Sequence, residues 1–587
     1  LAKLAAMTER LRRVPGANPA LVQSLASPQV KVIDGTAEAL TVERVMAEPP
    51  RDVAGAEAVR RRAFASDLFA GTLVARDGSA AAVQASFELT PATPGYRQLH
   101  AAVATAVAEV ADGTFDVHLS GPVVFLSEVN AYASRMAFFF PLALVVIGLV
   151  HYHAFRTLQA VVLPLVTALL SVVWALGAMG LLGVALDHFN TTTPILILAV
   201  AAGHAVQVLK RFYEEYERLG DVHAAIVESL GRVGPVMLAA GTVAAVSFCS
   251  LATFGTATIR TFGLFTGLGI ASALVIELTF IPAVRALLPP PRGRERTREA
   301  AAHLWLDGAL AASARIATGR GARRVCAGAI ALVVISAALA TRIDVDTSMK
   351  REFAADDPVR VADAAVNARL AGTNTLTLLV ESQGEGGLEE PAALRAILGL
   401  ERRLEREPGV GKALSYVDFL RRMHGAMTAD RPDAAELPAT RALTAQYLFL
   451  YTLSGGADDL DTLIDPTHRT AKVRVLVHDD RTLYANRLIA LARAEVARTF
   501  PPGVRVRYSG TLASAAAATE VMVAGKLRNI VQIAGITILI ASWLLGSWMG
   551  GILVAMPLAL TVAVNFGVMG LLGIPLEAPV QGRSLVP

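Results

Sequence analysis

GAMGLLGVALD, residues 177–187, recurs as GVMGLLGIPLE at residues 567–577, which is 390 positions further along the chain. A second pair of segments repeats with almost the same spacing. In each of them a short predicted strand is followed by a Ser-Gly turn, at 120–121 and at 509–510, and then by an apolar helix. Two landmarks that share one offset are hard to obtain by chance, so the sequence predicts an internal duplication.

The composition predicts a membrane protein. Of the 587 residues, 54% are hydrophobic and only 18% are charged, which is too apolar for an ordinary soluble protein of this length. The apolar residues form runs of the roughly 20 residues that a helix needs to cross a bilayer. We predict membrane spans at 136–154, 158–186, 191–209, 233–254, 259–287, 325–341, 529–545 and 552–572.

A connector rich in arginine decides the predicted orientation. Nine arginines lie between positions 285 and 324, and the positive-inside rule places such a loop in the cytoplasm. Alternation of the spans then places both long polar regions outside the cell membrane. The excess of basic residues is therefore an orientation signal, and nucleic acid is not an expected partner.

The polar segments between the spans predict further elements. Residues 210–232, after the third span, predict an amphipathic helix along the membrane surface. Each long polar region carries the pattern strand, helix, strand, which predicts a small α+β module. These segments are 81–89, 96–111 and 115–120 in the first region, and 470–478, 483–499 and 504–509 in the second.

The duplication also predicts segments beyond both ends of the chain. The helix that ends near residue 341 has a counterpart that would lie about 50 residues before Leu1. The second half stops near the counterpart of the third span, so three further spans are expected after Pro587. We therefore interpret the chain as truncated at both ends.

This organisation resembles the resistance-nodulation-division (RND) superfamily, in the branch of the mycobacterial large membrane proteins (MMPL), hopanoid exporters and Patched-like, sterol-sensing-domain-like proteins. In that family a helix, a porter domain and five helices form one half, and the two halves are related by an axis along the membrane normal. The resemblance implies a duplicated RND architecture. The implied fold is that of a polytopic α-helical membrane protein with two extracytoplasmic α+β porter-like domains.

Numbered as in that family, the chain lacks the first helix and the last three. The predicted parts are an N-terminally truncated porter-like domain at 1–134, transmembrane helices 2–6 at 135–287, a cytoplasmic Arg-rich linker at 288–323, transmembrane helix 7 at 324–341, a second porter-like domain at 342–527, transmembrane helices 8–9 at 528–576, and a loop before helix 10 at 577–587.

The most specific local match is AVAAGHAVQVLKRFYEE, residues 199–215. It resembles the fourth-helix segment of the family, in which Gly-x-Asp-Tyr is followed by an apolar turn, a basic pair and an acidic end. Lys210 and Arg211 form the basic pair. The resemblance implies a proton-relay role for the Asp of that motif. In this sequence Gly203 stands in place of the Asp, and His204 stands where the Tyr would be.

Two polar residues inside spans are the main site candidates. His204 either carries a proton itself, because histidine titrates near neutrality, or is a neutral imidazole bonded to a helix neighbour. Gln207, one turn further on, is either that neighbour or a packing residue. Glu277 is the only carboxylate within a predicted span. It either pairs with His204 or lies near enough to the cytoplasmic end to reach water or Arg285.

Thr242 and Asn565 are further candidates for a proton relay or a substrate path, although small polar residues in spans usually mediate helix packing. No P-loop GxxxxGK[ST], HExxH or paired CxxC motif occurs in the sequence. We therefore expect neither an enzyme nor a metal or other cofactor, and the driving force would come from an ion gradient.

The resemblance implies secondary active export of hydrophobic or lipid-like cargo, driven by the proton gradient, at the bacterial inner membrane. The expected partners are the bilayer, a lipid or hydrophobic small molecule, and either further copies of the chain or envelope proteins. The departure at Gly203 leaves a second hypothesis, a non-transporting membrane scaffold or a sterol or lipid sensor that has lost the ion relay. A third, a protein-export accessory, fits less well because such proteins are expected to have one six-helix unit per chain.

Overall fold

A computed structural model describes residues 1–35, 40–88, 95–155, 157–187, 189–290, 304–318, 321–428, 436–453 and 460–574. Residues 291–303 and 319–320 of the predicted linker, and the whole predicted loop at 577–587, lie outside these residues. The chain divides into two compact units, each of which takes segments from both halves of the sequence.

The described residues form mostly helices, with a few short strands. They are α1 (Ala2–Arg12), β1 (Lys31–Gly35), β2 (Leu40–Arg44), α2 (Val53–Phe64), α3 (Tyr96–Ala108), α4 (Pro122–Phe155), α5 (Gln159–Leu181), α6 (Thr193–Leu219), α7 (Val222–Cys249), α8 (Ala257–Leu287), α9 (Leu304–Thr318), α10 (Ala322–Ala340), α11 (Pro358–Arg369), β3 (Asn374–Glu381), α12 (Pro391–Glu405), β4 (Val410–Leu414), α13 (Tyr416–Met427), α14 (Arg441–Tyr451), β5 (Thr470–Val477), α15 (Thr482–Thr499), β6 (Arg505–Ser509), α16 (Gly510–Leu545) and α17 (Trp548–Leu572).

Several of the helices are long and apolar. Within the described residues, seven segments have the length and hydropathy to cross a membrane: Gln159–Leu181, Asn190–Leu219, Val222–Thr253, Ala257–Leu287, Ala322–Ala340, Gly510–Leu545 and Trp548–Leu572. Helix α4 contains a shorter apolar stretch, Phe138–His153. The prediction of a mostly helical, polytopic membrane protein is confirmed by these elements.

One unit consists of Leu1–Asn130 and Asp346–Thr519 within the described residues. Its larger sheet is antiparallel, with the strand order β4-β5-β3-β6. Side chains of β3 alternate between buried and half-buried, as expected for a sheet that packs one face on a core. Leu378 on that face shares the core with Leu394 of α12 and Leu488 of α15. The predicted second strand–helix–strand pattern is thus formed by β5, α15 and β6.

The first polar region differs from its prediction. Helix α3 forms, but the described part of 81–89 makes only isolated bridges, such as Gln23 with Gln84 and Ala17 with Phe87. The segment 115–120 does not form a strand. The two predicted strands are therefore wrong as regular strands. Alternation of apolar residues favours a strand only where a partner strand of similar length lies beside it.

The segment 210–232 is also different from its prediction. It does not form a separate surface helix, because α6 runs on to Leu219 and α7 begins at Val222. Gly220 ends α6 in the left-handed conformation, at φ 71°. The Asp221 side chain then accepts a hydrogen bond from the Ala224 backbone and caps α7. The segment therefore consists of the ends of two long helices and the tight turn between them.

The second unit consists of Ala131–Val345 and the described part of Glu520–Ala578. Small residues let its helices approach closely. A Cβ built on Gly263 of α8 would lie 2.5 Å from the Phe248 carbonyl oxygen of α7, and one on Gly267 would lie 2.8 Å from the Ala245 carbonyl oxygen. Helices α10 and α17 also meet at a glycine, because Gly567 packs on Ser336.

Replacing Gly263 by Ala should destabilise the bundle, because the new methyl group would press on the α7 backbone, which cannot rotate away. We expect a loss of about 1–3 kcal/mol in the free energy of unfolding. Thermal unfolding of the purified protein in detergent measures this. Gly177→Ala in α5 is the matched control, since a Cβ there meets no atom within 4 Å. Equal melting temperatures for the two variants would contradict the close α7–α8 approach.

Candidate functional site

Helices α6 and α8 pack side by side and in one register. Thr266 donates a hydrogen bond to Thr193 over 3.4 Å, two residues that are 73 positions apart in the chain. His204 and Glu277 meet at the same separation, and so do Phe212 and Arg285. Three contacts at the same sequence separation show that the two helices are parallel and stay in register over this length. Side chains that are distant in sequence therefore face each other in pairs.

The central pair is His204 with Glu277. The Nδ1 atom of His204 lies 3.7 Å from Oε2 of Glu277, whose side chain is completely buried. This distance allows an ion pair, but it is too long for a good hydrogen bond. Neither carboxylate oxygen of Glu277, nor Nδ1 of His204, has a hydrogen-bond partner among the described residues. Glu277 is thus a fully buried carboxyl group with a histidine as its neighbour.

The surroundings of the pair are apolar. The buried side chains Ala205, Val208, Leu274 and Ile281 belong to one hydrophobic cluster along α6 and α8. An isolated charge in such a place costs several kcal/mol unless a partner neutralises it. The two side chains can share a proton, which gives either a neutral pair or an ion pair. The arrangement therefore has the chemistry needed to take up and release a proton inside the membrane.

Arg285 makes different contacts from those that the predicted alternative required. Its guanidinium lies 4.7 Å from the Phe212 ring centroid and donates a hydrogen bond to Oε1 of Gln159 over 2.8 Å. It also donates to the Pro289 carbonyl oxygen over 3.3 Å. These contacts hold the guanidinium at the end of α8. Of the interpretations offered for Glu277, the structure adopts the one in which it lies beside His204.

The other motif positions of the matched segment face away from the pair or lie further along α6. Gly203 is exposed, and a Cβ built on it would meet nothing within 4 Å. Lys210 is exposed as well. Arg211 binds Glu215 over 2.6 Å near the end of α6. The basic pair therefore lies about two turns away from His204, towards the end of α6.

Glu215 is a buried acid that the sequence reasoning missed. It is almost fully buried and holds three arginines, Arg211, Arg218 over 2.8 Å and Arg232 over 3.5 Å. The i to i+3 and i to i+4 spacing of the first two could have indicated ion pairs on one helix face. The contact with Arg232, which belongs to α7, links the last part of α6 to α7.

Gln207, Thr242 and Asn565 are all exposed, and the structure does not bring them to the pair. A role for them in a relay or substrate path stays a prediction. Asn529 is a polar residue that the sequence did not suggest. It donates a hydrogen bond from α16 to Ser250 over 2.7 Å.

Similarity to known proteins extends over the segment that contains this site. The sequence pattern of the MMPL family matches residues 2–316, which is more than half of the chain and includes both α6 and α8. The chain belongs to the MMPL family. The resemblance of the segment around His204 to the MMPL branch of the RND superfamily is thereby confirmed.

Individual relatives are distant. The sulfolipid-1 exporter MmpL8 of Mycobacterium tuberculosis is 25% identical over 325 residues, which cover 54% of this chain and 29% of that protein. The protein ActII-3 of Streptomyces coelicolor is 24% identical over 399 residues, or 64% of this chain and 55% of the relative. The protein SCO6666 of the same organism is 35% identical over 144 residues, or 23% of this chain and 20% of the relative. The matched regions thus span less than two thirds of the length of each relative.

A buried acid in the other unit was also missed. Glu401 of α12 is almost fully buried. Burial, together with the neighbouring Asp418, raises the pKa of Glu401 well above its usual range. Asp418 belongs to the capping box of α13, in which its Oδ2 accepts a hydrogen bond over 3.0 Å from the backbone of Ser415, the N-cap residue. The apolar positions 394, 397 and 404 of α12 place residue 401 on the buried face, and this period was the signal that could have found it.

Glu401→Gln should stabilise the protein at neutral and alkaline pH. A raised pKa means that the folded protein keeps a proton that the unfolded chain releases, so stability falls as pH rises from the ordinary carboxyl range towards the raised value. Glutamine keeps the neutral shape without that loss, and we expect a gain of about 1–3 kcal/mol near pH 8 and a smaller gain near pH 5. Thermal unfolding at both pH values measures it.

The matched control for this prediction is Glu385→Gln, because Glu385 is exposed in the same unit. Its substitution should change the melting temperature little at either pH. A Glu401→Gln variant whose stability depends on pH in the same way as the parent protein would show that Glu401 is ionised in the folded state.

Proposed function

We propose that this protein is a secondary active exporter of hydrophobic or lipid-like cargo in the bacterial inner membrane. Membership of the MMPL family and the long apolar helices support this function. The relative MmpL8 carries the name of a sulfolipid-1 exporter, which favours a lipid-like cargo for this chain too. Because MmpL8 carries the name of an exporter, we propose transport as the activity and no catalysed reaction.

The proposed organisation follows the duplicated family plan. The polar regions at 1–134 and 342–527 would be extracytoplasmic porter-like domains, with the arginine-rich segment 288–323 on the cytoplasmic side. Cargo would enter from the outer leaflet or the periplasm and leave between these domains. The bilayer, a lipid-like molecule, and either further copies of the chain or envelope proteins are the proposed partners.

We propose further that a proton drives the transport through His204 and Glu277. The single observation that carries this step is a fully buried carboxyl group that has no hydrogen-bond partner among the described residues and lies 3.7 Å from a histidine. An ionisable group inside a membrane is expensive and is usually retained for function. Protonation changes the charge of the pair, so it can favour one arrangement of α6 and α8 over another.

The second candidate is a membrane scaffold or lipid sensor without transport. Gly203 favours it, because this residue replaces the carboxylate that the family carries at that position and leaves open space there. The two candidates make opposite predictions about cargo movement. A sensor would bind lipid without a proton flux that depends on Glu277.

Glu277→Gln and His204→Leu should each reduce proton-driven transport at least about 100-fold, because each removes one of the two groups that share the proton. The test uses the full-length protein in proteoliposomes with an imposed pH gradient and a fluorescent lipid as cargo. Insertion and folding are checked by size-exclusion chromatography and by thermal unfolding.

Thr279→Val is the matched control. Thr279 lies on α8 two residues after Glu277, but it is exposed and its hydroxyl donates to the Val275 carbonyl oxygen of its own helix. This variant should transport at the parent rate. Full transport by Glu277→Gln would remove the pair from the mechanism, and absence of transport by the parent protein for all lipid classes would favour the sensor.

A further inference from the structure

The site around His204 and Glu277 is closed differently at its two ends. Towards the start of α6, the side chain of Ile197 packs against Gly269 so closely that no Cβ would fit there. Ile197, Ile270 and Ala273 are almost completely buried in the same stretch. This end is sealed by apolar contacts between two helices, and opening it requires the helices to separate.

Towards the end of α8, a polar side chain closes the site beyond the apolar packing of Ile281. Arg285 lies eight residues after Glu277, which is about 12 Å along a helix. Its side chain is almost completely buried although it belongs to the last turn of α8. A long, flexible, charged side chain in this position would normally extend into water.

The contacts of Arg285 hold it across the end of the site. Phe212 lies eight residues after His204 on α6, and the face of its ring contacts the guanidinium. Gln159, the first residue of α5, accepts one hydrogen bond, and the Pro289 carbonyl oxygen accepts another. One arginine therefore bridges α5, α6 and α8 through contacts that a rotation of its own side chain can break.

We propose that Arg285 is a latch that closes the cytoplasmic end of the His204–Glu277 site and excludes protons from that side. The inference rests on the proposed function, since it deepens the account of the same site. A guanidinium keeps its positive charge at every physiological pH, and a fixed positive charge at the mouth of a narrow path repels hydronium and other cations. In the parent protein the side chain leaves Phe212 and Gln159, and the site opens inwards, only while the apolar contact at Ile197 keeps the other end closed. Without the latch both ends can be open at once, and protons pass.

The latch predicts a proton leak when it is removed. The assay uses the full-length protein in proteoliposomes with an imposed pH gradient, an internal pH-sensitive dye and no cargo. Arg285→Gln should raise passive proton influx about tenfold or more, because it removes the charge and weakens the charge-assisted hydrogen bonds. Arg285→Lys keeps the charge without the planar fork, so its leak should be smaller.

Two further variants separate the latch from a general loss of packing. Adding Glu277→Gln to Arg285→Gln should abolish the leak, because the protons would pass through the carboxyl group of Glu277. Arg260→Gln is the matched control, since Arg260 is an exposed arginine near the start of the same helix. This control should leave the proton influx unchanged.

Each outcome decides the inference. A parent-like proton influx for Arg285→Gln would overturn the latch, and so would a leak that persists at the same rate after Glu277→Gln is added. If Arg285→Gln does not fold, Gln159→Leu carries the test, because it keeps Arg285 and removes one acceptor. A leak in that variant supports the latch, and its absence overturns it. The proposed function fails separately, if Glu277→Gln alone still transports cargo.

Discussion

The carboxyl group of Glu277, completely buried beside His204, is the constraint on which the account of this MMPL protein depends. In hydrocarbon, backbone groups are satisfied inside helices, but a side-chain carboxyl group has to find its own partner. In this protein the partner is a histidine at a distance that suits an ion pair rather than a strong hydrogen bond. The pair therefore lacks a short hydrogen bond, and buried apolar side chains of α6 and α8 lie along the same stretch of these helices.

The register of α6 and α8 brings this pair together. Gly269 accepts the side chain of Ile197, and this contact helps to fix how far one helix lies along the other. The same register places Thr193 opposite Thr266 and Phe212 opposite Arg285. A change at any one of these contacts would displace the others, so the packing of small and large residues belongs to the chemistry of the site.

Much of the fold could be predicted from the sequence, because hydropathy marks long apolar helices directly and the sequence pattern of the second polar region matches β5, α15 and β6. His204 and Glu277 could be named as candidates, since polar residues stand out in apolar runs. Their meeting could not be derived, because it depends on how α6 and α8 pack. Gly220 and Asp221 are residue types that favour a helix end and a helix cap, so the turn between α6 and α7 could have been predicted in place of one surface helix. The two strands predicted in the first polar region do not form as regular strands, because alternation alone does not supply a partner strand.

Infrared spectroscopy of the protein in lipid tests the central claim most directly, since it detects the carbonyl stretch of a protonated carboxyl group. The account predicts a protonated-carboxyl band that changes when the pH is stepped, is lost in Glu277→Gln, and shifts in position in His204→Leu. A spectrum of Glu277→Gln identical to that of the parent protein at every pH would contradict it, because Glu277 would then hold no exchangeable proton.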